Sequence, residues 1–289
     1  MPQALPNKIF LLLFSASAIL AACSAGQPSE PASTELGVSD IQIAVASDDF
    51  PVGQSRLPLV LYAGTERGAD AQAVHLTALD LSKDPSEKGW EGNAKEFTDY
   101  WIPYWVAYPD LPHTGNWGFI ADITLTDGST TRAQFAIQVS EKGNAPAVGS
   151  QPPASQNRTL ASEPDIHKLS SAVDPDPGLY QMTVADALKS GKPSVVTFAT
   201  PGYCTSQLCA PVVDTVDAVY KQYQDQANFI HIEVYKTFDP LVYADEMAEW
   251  GLTSEPWTFV LDKDGKVSAR FNGPLGKEEL VSALEPLLP

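Results

Sequence analysis

Residues 197–209 read Thr-Phe-Ala-Thr-Pro-Gly-Tyr-Cys-Thr-Ser-Gln-Leu-Cys. The first of them end a run, PSVVTFAT (193–200), that is continuously apolar and bounded by proline on both sides. A run of that kind reads as a strand buried on both faces. After it, Val212, Val213, Val216, Val219, Tyr220 and Tyr223 recur at helical spacing within 210–226, so an amphipathic helix follows. Cys204 therefore falls where a strand ends and a helix begins. Helix N-terminal amides and the macrodipole favour a thiolate there. A thiolate is the nucleophile of thiol–disulfide exchange.

Working outward, VADALKSG (184–191) reads as a short helix ending at Gly191, and ANFIHIEVYK (227–236) as a second buried strand. Residues 239–250 read as a short helix or turn. WTFVLDKDGKVSARF (257–271) reads as a hairpin around Asp264-Gly265, and KEELVSALEPLL (277–288) as a terminal helix. The order is helix, strand, helix, strand, helix, strand, strand, helix.

This order, with a cysteine pair directly after the first core strand, resembles the thioredoxin fold over residues 163–289. Three stretches carry the resemblance: TFATPGYCTSQLC, the segment Ser254-Glu255-Pro256-Trp257-Thr258-Phe259, and the amphipathic helix after Gly273. The resemblance implies an attacking Cys204, a resolving Cys209, and a cis Pro256 beside the sulfur that shapes a substrate groove. Tyr203 and Trp257 are expected to flank the pair and tune access to it. A proline opening that strand donates no ladder hydrogen bond, which suits a docking edge.

The chain also departs from thioredoxins. Its spacing is Cys-x-x-x-x-Cys, and five residues of regular helix turn roughly 500°, leaving the thiols roughly 140° apart. A disulfide then needs Cys204 in the loop or a distorted first turn. Thr197 stands near where thioredoxins often keep a buried Asp, so no obvious carboxylate accepts a proton. Glu255 is a substitute, but it reads first as a solvated loop charge. The same spacing occurs in some peroxiredoxins. Here, however, Thr197 and Pro201 stand where that family wants Pro and Thr or Ser, and its Arg is replaced by the Glu255-Pro256-Trp257 stretch. A copper metallochaperone would need a His beside the thiolates. The candidate is His231, which reads equally well as a strand-surface residue. The remaining alternative is a non-catalytic surface-binding lipoprotein with a structural Cys204–Cys209 bond.

Ahead of this region, IQIAVAS (41–47), LPLVLYA (57–63), AVHLTALDL (73–81), WGFIADITLT (117–126) and RAQFAIQVS (132–140) are strand-like, with Asp127-Gly128 a hairpin signal between the last two. Several short strands over 36–143 suggest an all-β sandwich of immunoglobulin-like type, a spacer or docking module. Tyr100, Trp101, Tyr104, Trp105 and Tyr108 cluster among Pro103, Pro109 and Pro112. They read mainly as core and edge packing, and secondarily as a ligand or docking platform. His75 and His113 lack the Met partners a copper site would want. Residues 144–162, rich in Pro, Ser, Gly and Ala, read as an interdomain linker.

The odd one of the 3 Cys lies at the start of the chain. Residues 1–22 have a weakly basic start and an apolar stretch ending in small residues, as a secretory signal does. Leu20-Ala21-Ala22-Cys23 resembles the lipobox of bacterial lipoproteins, which implies a lipid on Cys23. The Pro/Ser/Gly-rich residues 23–35 read as a flexible tether. The compartment is then oxidising, and two acyl chains suffice for anchoring to the cell membrane or outer membrane.

Composition sets outer limits. Of 289 residues, 44% are hydrophobic and 19% charged, as in packed globular proteins. The formal charge of −18, from 18 Lys+Arg against 36 Asp+Glu, argues against nucleic acid as a partner. There is no glycine-rich phosphate loop and no zinc-spaced Cys/His set, so no cofactor and no metal are expected. The function expected is a membrane-anchored, extracytoplasmic thiol–disulfide oxidoreductase whose partners are exported protein thiols or a redox partner protein.

Overall fold

The structure is a computed structural model that describes residues 41–289. The stretches read as a signal peptide and a tether, with Cys23, lie outside the described residues. In chain order the first strands are β1 (Ile41–Val45), β2 (Gly53–Gln54), β3 (Leu57–Ala63), β4 (Glu66–Arg67), β5 (Ala71–Asp80) and β6 (Glu87–Asn93). Then follow β7 (Lys95–Phe97), β8 (Tyr104–Ala107), β9 (Asp110–Leu111), β10 (Gly115–Leu125) and β11 (Thr130–Val139). One antiparallel sheet has the order β1-β3-β8-β7, with β4 also on β3, and a second has the order β11-β10-β5-β6. Leu57, Leu59, Leu61 and Trp105 from the first share one core with Leu76, Trp117, Phe119 and Ile123 from the second. The strands β6, β7 and β8 were not anticipated, because EKGWEGN is mostly exposed and the prolines around 103–112 mask the short buried strand between them.

The later elements are α1 (Val184–Ala187), β12 (Ser194–Ala199), α2 (Cys209–Tyr223), β13 (Asn228–Glu233), β14 (Tyr235–Phe238), β15 (Leu241–Tyr243), α3 (Asp245–Glu249), β16 (Trp257–Leu261), β17 (Val267–Asn272) and α4 (Lys277–Leu284). The third main sheet has the order β13-β12-β16-β17. β12 and β13 are parallel, while β12–β16 and β16–β17 are antiparallel. β12 is buried throughout because both its faces are covered: Val195 and Ala199 join the core with α2 and α4, and Val196 and Phe198 join the core with α1, Met247 and Trp250. The run expected as one strand over 227–236 ends at Glu233, and residues 235–243 form a separate hairpin before α3. α4 stops at Leu284 ahead of Pro286, which cannot continue a helix.

The first sheet is shared between two cores. Along β8, Trp105 and Ala107 face the second sheet, while Tyr104 and Val106 join Val212, Val216, Leu280 and Leu284 of α2 and α4. The alternation of a strand makes this double use possible. All described residues belong to one compact unit.

Residues 144–162, read as a linker, do not run free. Gly149 and Ser150 exchange backbone hydrogen bonds with Val267 at 2.8 and 2.9 Å, along the edge of β17. Ser155 donates to Glu249 and accepts from Trp250 Nε1, and the Asn157 side chain accepts from the Val184 amide. A Pro- and Ser-rich composition signals absence of regular structure, not absence of packing. Gly273, with φ +87°, is needed where the layers meet, since a Cβ there would lie 1.9 Å from the Ala46 carbonyl oxygen.

Among the described residues, no helix is long and apolar enough to cross a membrane.

Candidate active site

The loop from Pro201 to Leu208 carries Cys204 off the end of β12 and delivers Cys209 as the first residue of α2. The chain turns there through Gln207, a non-glycine residue at φ 62°. Such a conformation is uncommon for a residue with a Cβ and clusters at functional sites. Leu208, the N-cap residue of α2, supplies no side-chain hydrogen bond to the helix start. The Cys209 amide instead donates to Cys204 Sγ at 3.4 Å, so the sulfur occupies the place of a cap. Ser206 Oγ lies 3.2 Å from the same sulfur.

These contacts separate the two thiols. Cys204 is held down at about 5, first by the thiol of Cys209 and then by Ser206 and the amides of Cys209 and Leu208, against a burial penalty. Cys209, fully buried, is pushed up by the same thiol contact and by burial. The contact thus moves the two groups in opposite directions, the half-buried Cys204 toward thiolate and the buried Cys209 toward thiol. The two sulfurs are not joined in a disulfide.

A carboxylate oxygen of Glu255 and the two sulfurs all lie within 4.8 Å of one another. Glu255 is half-buried, and its carboxyl is raised by burial and then by the Cys204 charge. Its reading as a solvated loop charge is therefore corrected: the Glu255–Pro256 turn folds it inward over the thiols. His231, the copper-ligand candidate, does not join them: its ring is buried in contacts with Tyr180 Oη at 2.6 Å and the Ala199 carbonyl at 3.1 Å.

The peptide before Pro256 is cis, and Pro256 is buried. Trp257 does not flank the thiols at the surface. It is buried, stacked on Phe259 at 5.4 Å with the Arg270 guanidinium over its ring, and its indole N–H has no hydrogen-bond partner. Strand alternation sends it to the opposite core from Val260. Tyr203 is exposed beside Cys204. It stacks on Phe238 at 5.3 Å and meets Tyr235 edge-on, joining the loop to the β14–β15 hairpin. Thr197 pairs with Thr258 at 3.2 Å in the middle of the sheet, so hydroxyls fill the space expected for a buried carboxylate.

Three contributors were not anticipated. Glu233 accepts from the amide and hydroxyl of Ser171, and Ser171 Oγ accepts from the Gly202 amide at 2.9 Å, which ties the loop to the end of β13. Tyr100, from the first sheet's side, donates from its hydroxyl to the Leu208 carbonyl at 2.8 Å. Asp48 accepts from Ser254 Oγ at 2.8 Å, two residues before Pro256. The only sequence signal for any of them was the aromatic cluster. Its Tyr104 and Trp105 are core residues, while Trp101 and Tyr108 remain about half exposed.

No family model matches the chain. The chloroplast thioredoxin-like protein HCF164 of Arabidopsis thaliana is 29% identical over 102 residues, 35% of this chain and 36% of that protein. Its counterpart from Oryza sativa subsp. japonica is 32% identical over 93 residues, 32% of this chain and 33% of that protein. The chain has thioredoxin-like relatives. It spans about a third of the length of those relatives. Among solved structures, a thioredoxin-family thiol:disulfide interchange protein from Chlorobium tepidum TLS is 21% identical, with a TM-score of 0.30, covering 37% of this chain and 85% of that one.

Proposed function

We propose that the protein is a thiol–disulfide oxidoreductase of thioredoxin-like type. The observation that carries this reading is the unequal pair, an accessible Cys204 with a depressed pKa capped onto α2 and a buried Cys209 with a raised one. The Cys204 thiolate attacks one sulfur of a substrate disulfide, forming a mixed disulfide and releasing the other as thiolate. The Cys209 thiol then gives its proton to the Glu255 carboxylate and attacks Cys204. The intramolecular disulfide forms, and the second substrate thiolate leaves with the proton that Glu255 returns. Two electrons have passed from the dithiol to the substrate, and the reverse sequence oxidises a substrate dithiol. Pro256 lines the groove and Tyr203 borders it.

The wider setting belongs to the same proposal. The lipobox-like Leu20-Ala21-Ala22-Cys23 supports export, a lipid on Cys23 and an extracytoplasmic position. The alternating strands of 36–143 support an immunoglobulin-like module ahead of a thioredoxin-like one at 163–289. The partners are exported protein thiols or a redox partner protein.

The test is the exchange rate of the reduced protein with a small aromatic disulfide at pH 6. The expected rate exceeds that of free cysteine, Cys204→Ser abolishes it, and Cys209→Ser stops at a stable mixed disulfide. A rate equal to free cysteine, or equal loss from either substitution with no trapped intermediate, contradicts the reading.

A further inference from the structure

Tyr100 stands 108 residues ahead of Leu208 in the chain, on the loop between β7 and β8, and is buried. Its hydroxyl donates to the Leu208 carbonyl oxygen at 2.8 Å. The amide on the other side of that same peptide unit is the Cys209 N–H, which donates to Cys204 Sγ. A trans peptide is planar, with its C=O and N–H opposed. Holding the oxygen therefore fixes the direction in which the N–H points. A donor on the carbonyl also polarises the unit and strengthens the bond its N–H makes.

The loop that carries Tyr100 is itself anchored. Asp99 accepts from the Glu278 amide in the first turn of α4, and Tyr104 accepts from the Gly276 amide at 2.7 Å while donating to Glu279 at 2.8 Å. The Tyr100 and Tyr104 rings meet edge-on at 5.6 Å. A brace thus runs from α4 through Asp99 and Tyr100 to the start of α2, while the Tyr104 hydroxyl joins β8 to α4 beside it and touches Tyr100 only through its ring.

We propose that Tyr100 is a positioning residue for the thiol site: its hydroxyl orients the Leu208–Cys209 peptide toward Cys204, which makes the first β-sheet a working part of the redox centre and not a spacer. The proposal deepens the oxidoreductase reading and rests on it for its biological meaning. Its test reads Cys204 directly and needs no redox partner.

The measurement is the rate of Cys204 alkylation against pH in the reduced intact protein, for the wild type, Tyr100→Phe and Tyr104→Phe. Phenylalanine keeps the buried ring in both cases. Tyr104→Phe also removes a buried hydroxyl from the same contact layer, but one bonded to α4 and not to the cysteine loop. Losing the Tyr100 hydroxyl leaves the Leu208 carbonyl held only by the Val212 amide at 3.2 Å, which weakens the N–H bond to the thiolate and moves the alkylation midpoint to higher pH. Below the midpoint the reaction slows about three- to tenfold, the range one net hydrogen bond supplies. Tyr104→Phe is expected to lower the melting temperature and leave the midpoint in place. Superimposed curves for wild type and Tyr100→Phe overturn the proposal. So does an equal shift in both variants, which marks a general loosening. If Tyr100→Phe shifts the midpoint while the wild type exchanges no faster than free cysteine, the positioning stands and the oxidoreductase reading falls.

Discussion

The amide nitrogen of Cys209 lies 3.4 Å from the sulfur of Cys204, so a cysteine side chain caps the helix that begins with its partner. A negative sulfur is favoured by this bond and by the helix dipole together. The chemistry of the pair follows from that placement.

Alkylation of Cys204 by an uncharged reagent is expected to reach half its maximal rate near pH 5. Linkage gives a companion effect. The folded pKa lies below the unfolded value of 9.0, so the stabilisation is complete above pH 9 and is lost as pH falls through about 5. The melting temperature of the reduced protein should therefore rise with pH across that window relative to the oxidised protein, which lacks the titrating thiol. A midpoint near 8 or 9, with parallel melting curves, contradicts the site geometry.

The reduction potential should depend on pH with a break. Above about pH 5, reduction leaves Cys204 ionised and Cys209 protonated, so two electrons bring one proton. The slope is then about 30 mV per pH unit, steepening to about 59 mV below the break. Equilibration against a thiol buffer between pH 4 and 8 reads it directly. A constant slope of about 59 mV across the range would show that neither thiol is depressed.

Glu255→Gln separates the two halves of exchange. Attack by Cys204 should persist, with its alkylation midpoint unchanged or slightly lower because a neighbouring negative charge is gone. Closure of the disulfide by Cys209 should slow by about a hundredfold, the lower end of a positioned general base. Stopped-flow kinetics with a chromogenic disulfide resolves both phases. Equal slowing of both phases would remove Glu255 from the proton path.

Arg56 and Glu279 form a buried ion pair at 2.7 Å between β3's side of the molecule and α4. Glu279 also accepts from Tyr104 and Tyr108, and Arg56 donates to the carbonyls of Asn272 and Pro274. Glu279→Ala leaves a buried guanidinium without its counter-charge and should cost about 3–5 kcal/mol. Chemical denaturation followed by tryptophan fluorescence checks it. A loss below about 1 kcal/mol, the scale of an exposed pair, would mean that water reaches the contact.

What the sequence disclosed, and what it hid, divides along a physical line. The strand at 194–199, the helix from Cys209 and the hairpin at 257–272 rest on local periodicity and were legible. So was the strand-to-helix junction that carries Cys204. Glu255 was visible as a residue but not as an inward one, because the burial of a loop carboxylate is set by elements distant in sequence. Tyr100, Asp48 and Glu233 act on the site from far along the chain, and no local pattern marks such contacts. Trp257 was misplaced for a related reason: proximity to Pro256 suggested the groove, while alternation along β16 sends the ring into the core. The 144–162 segment shows that composition reports regularity more faithfully than packing.

The reduction potential of the Cys204–Cys209 pair in the intact chain, equilibrated against glutathione and dithiothreitol with mass-spectrometric trapping, bears most directly on the proposed chemistry. A working oxidoreductase pair should fall between roughly −120 and −270 mV. A value below about −300 mV would mark a structural bond, and the protein would then be a surface-binding module stabilised by an inert disulfide.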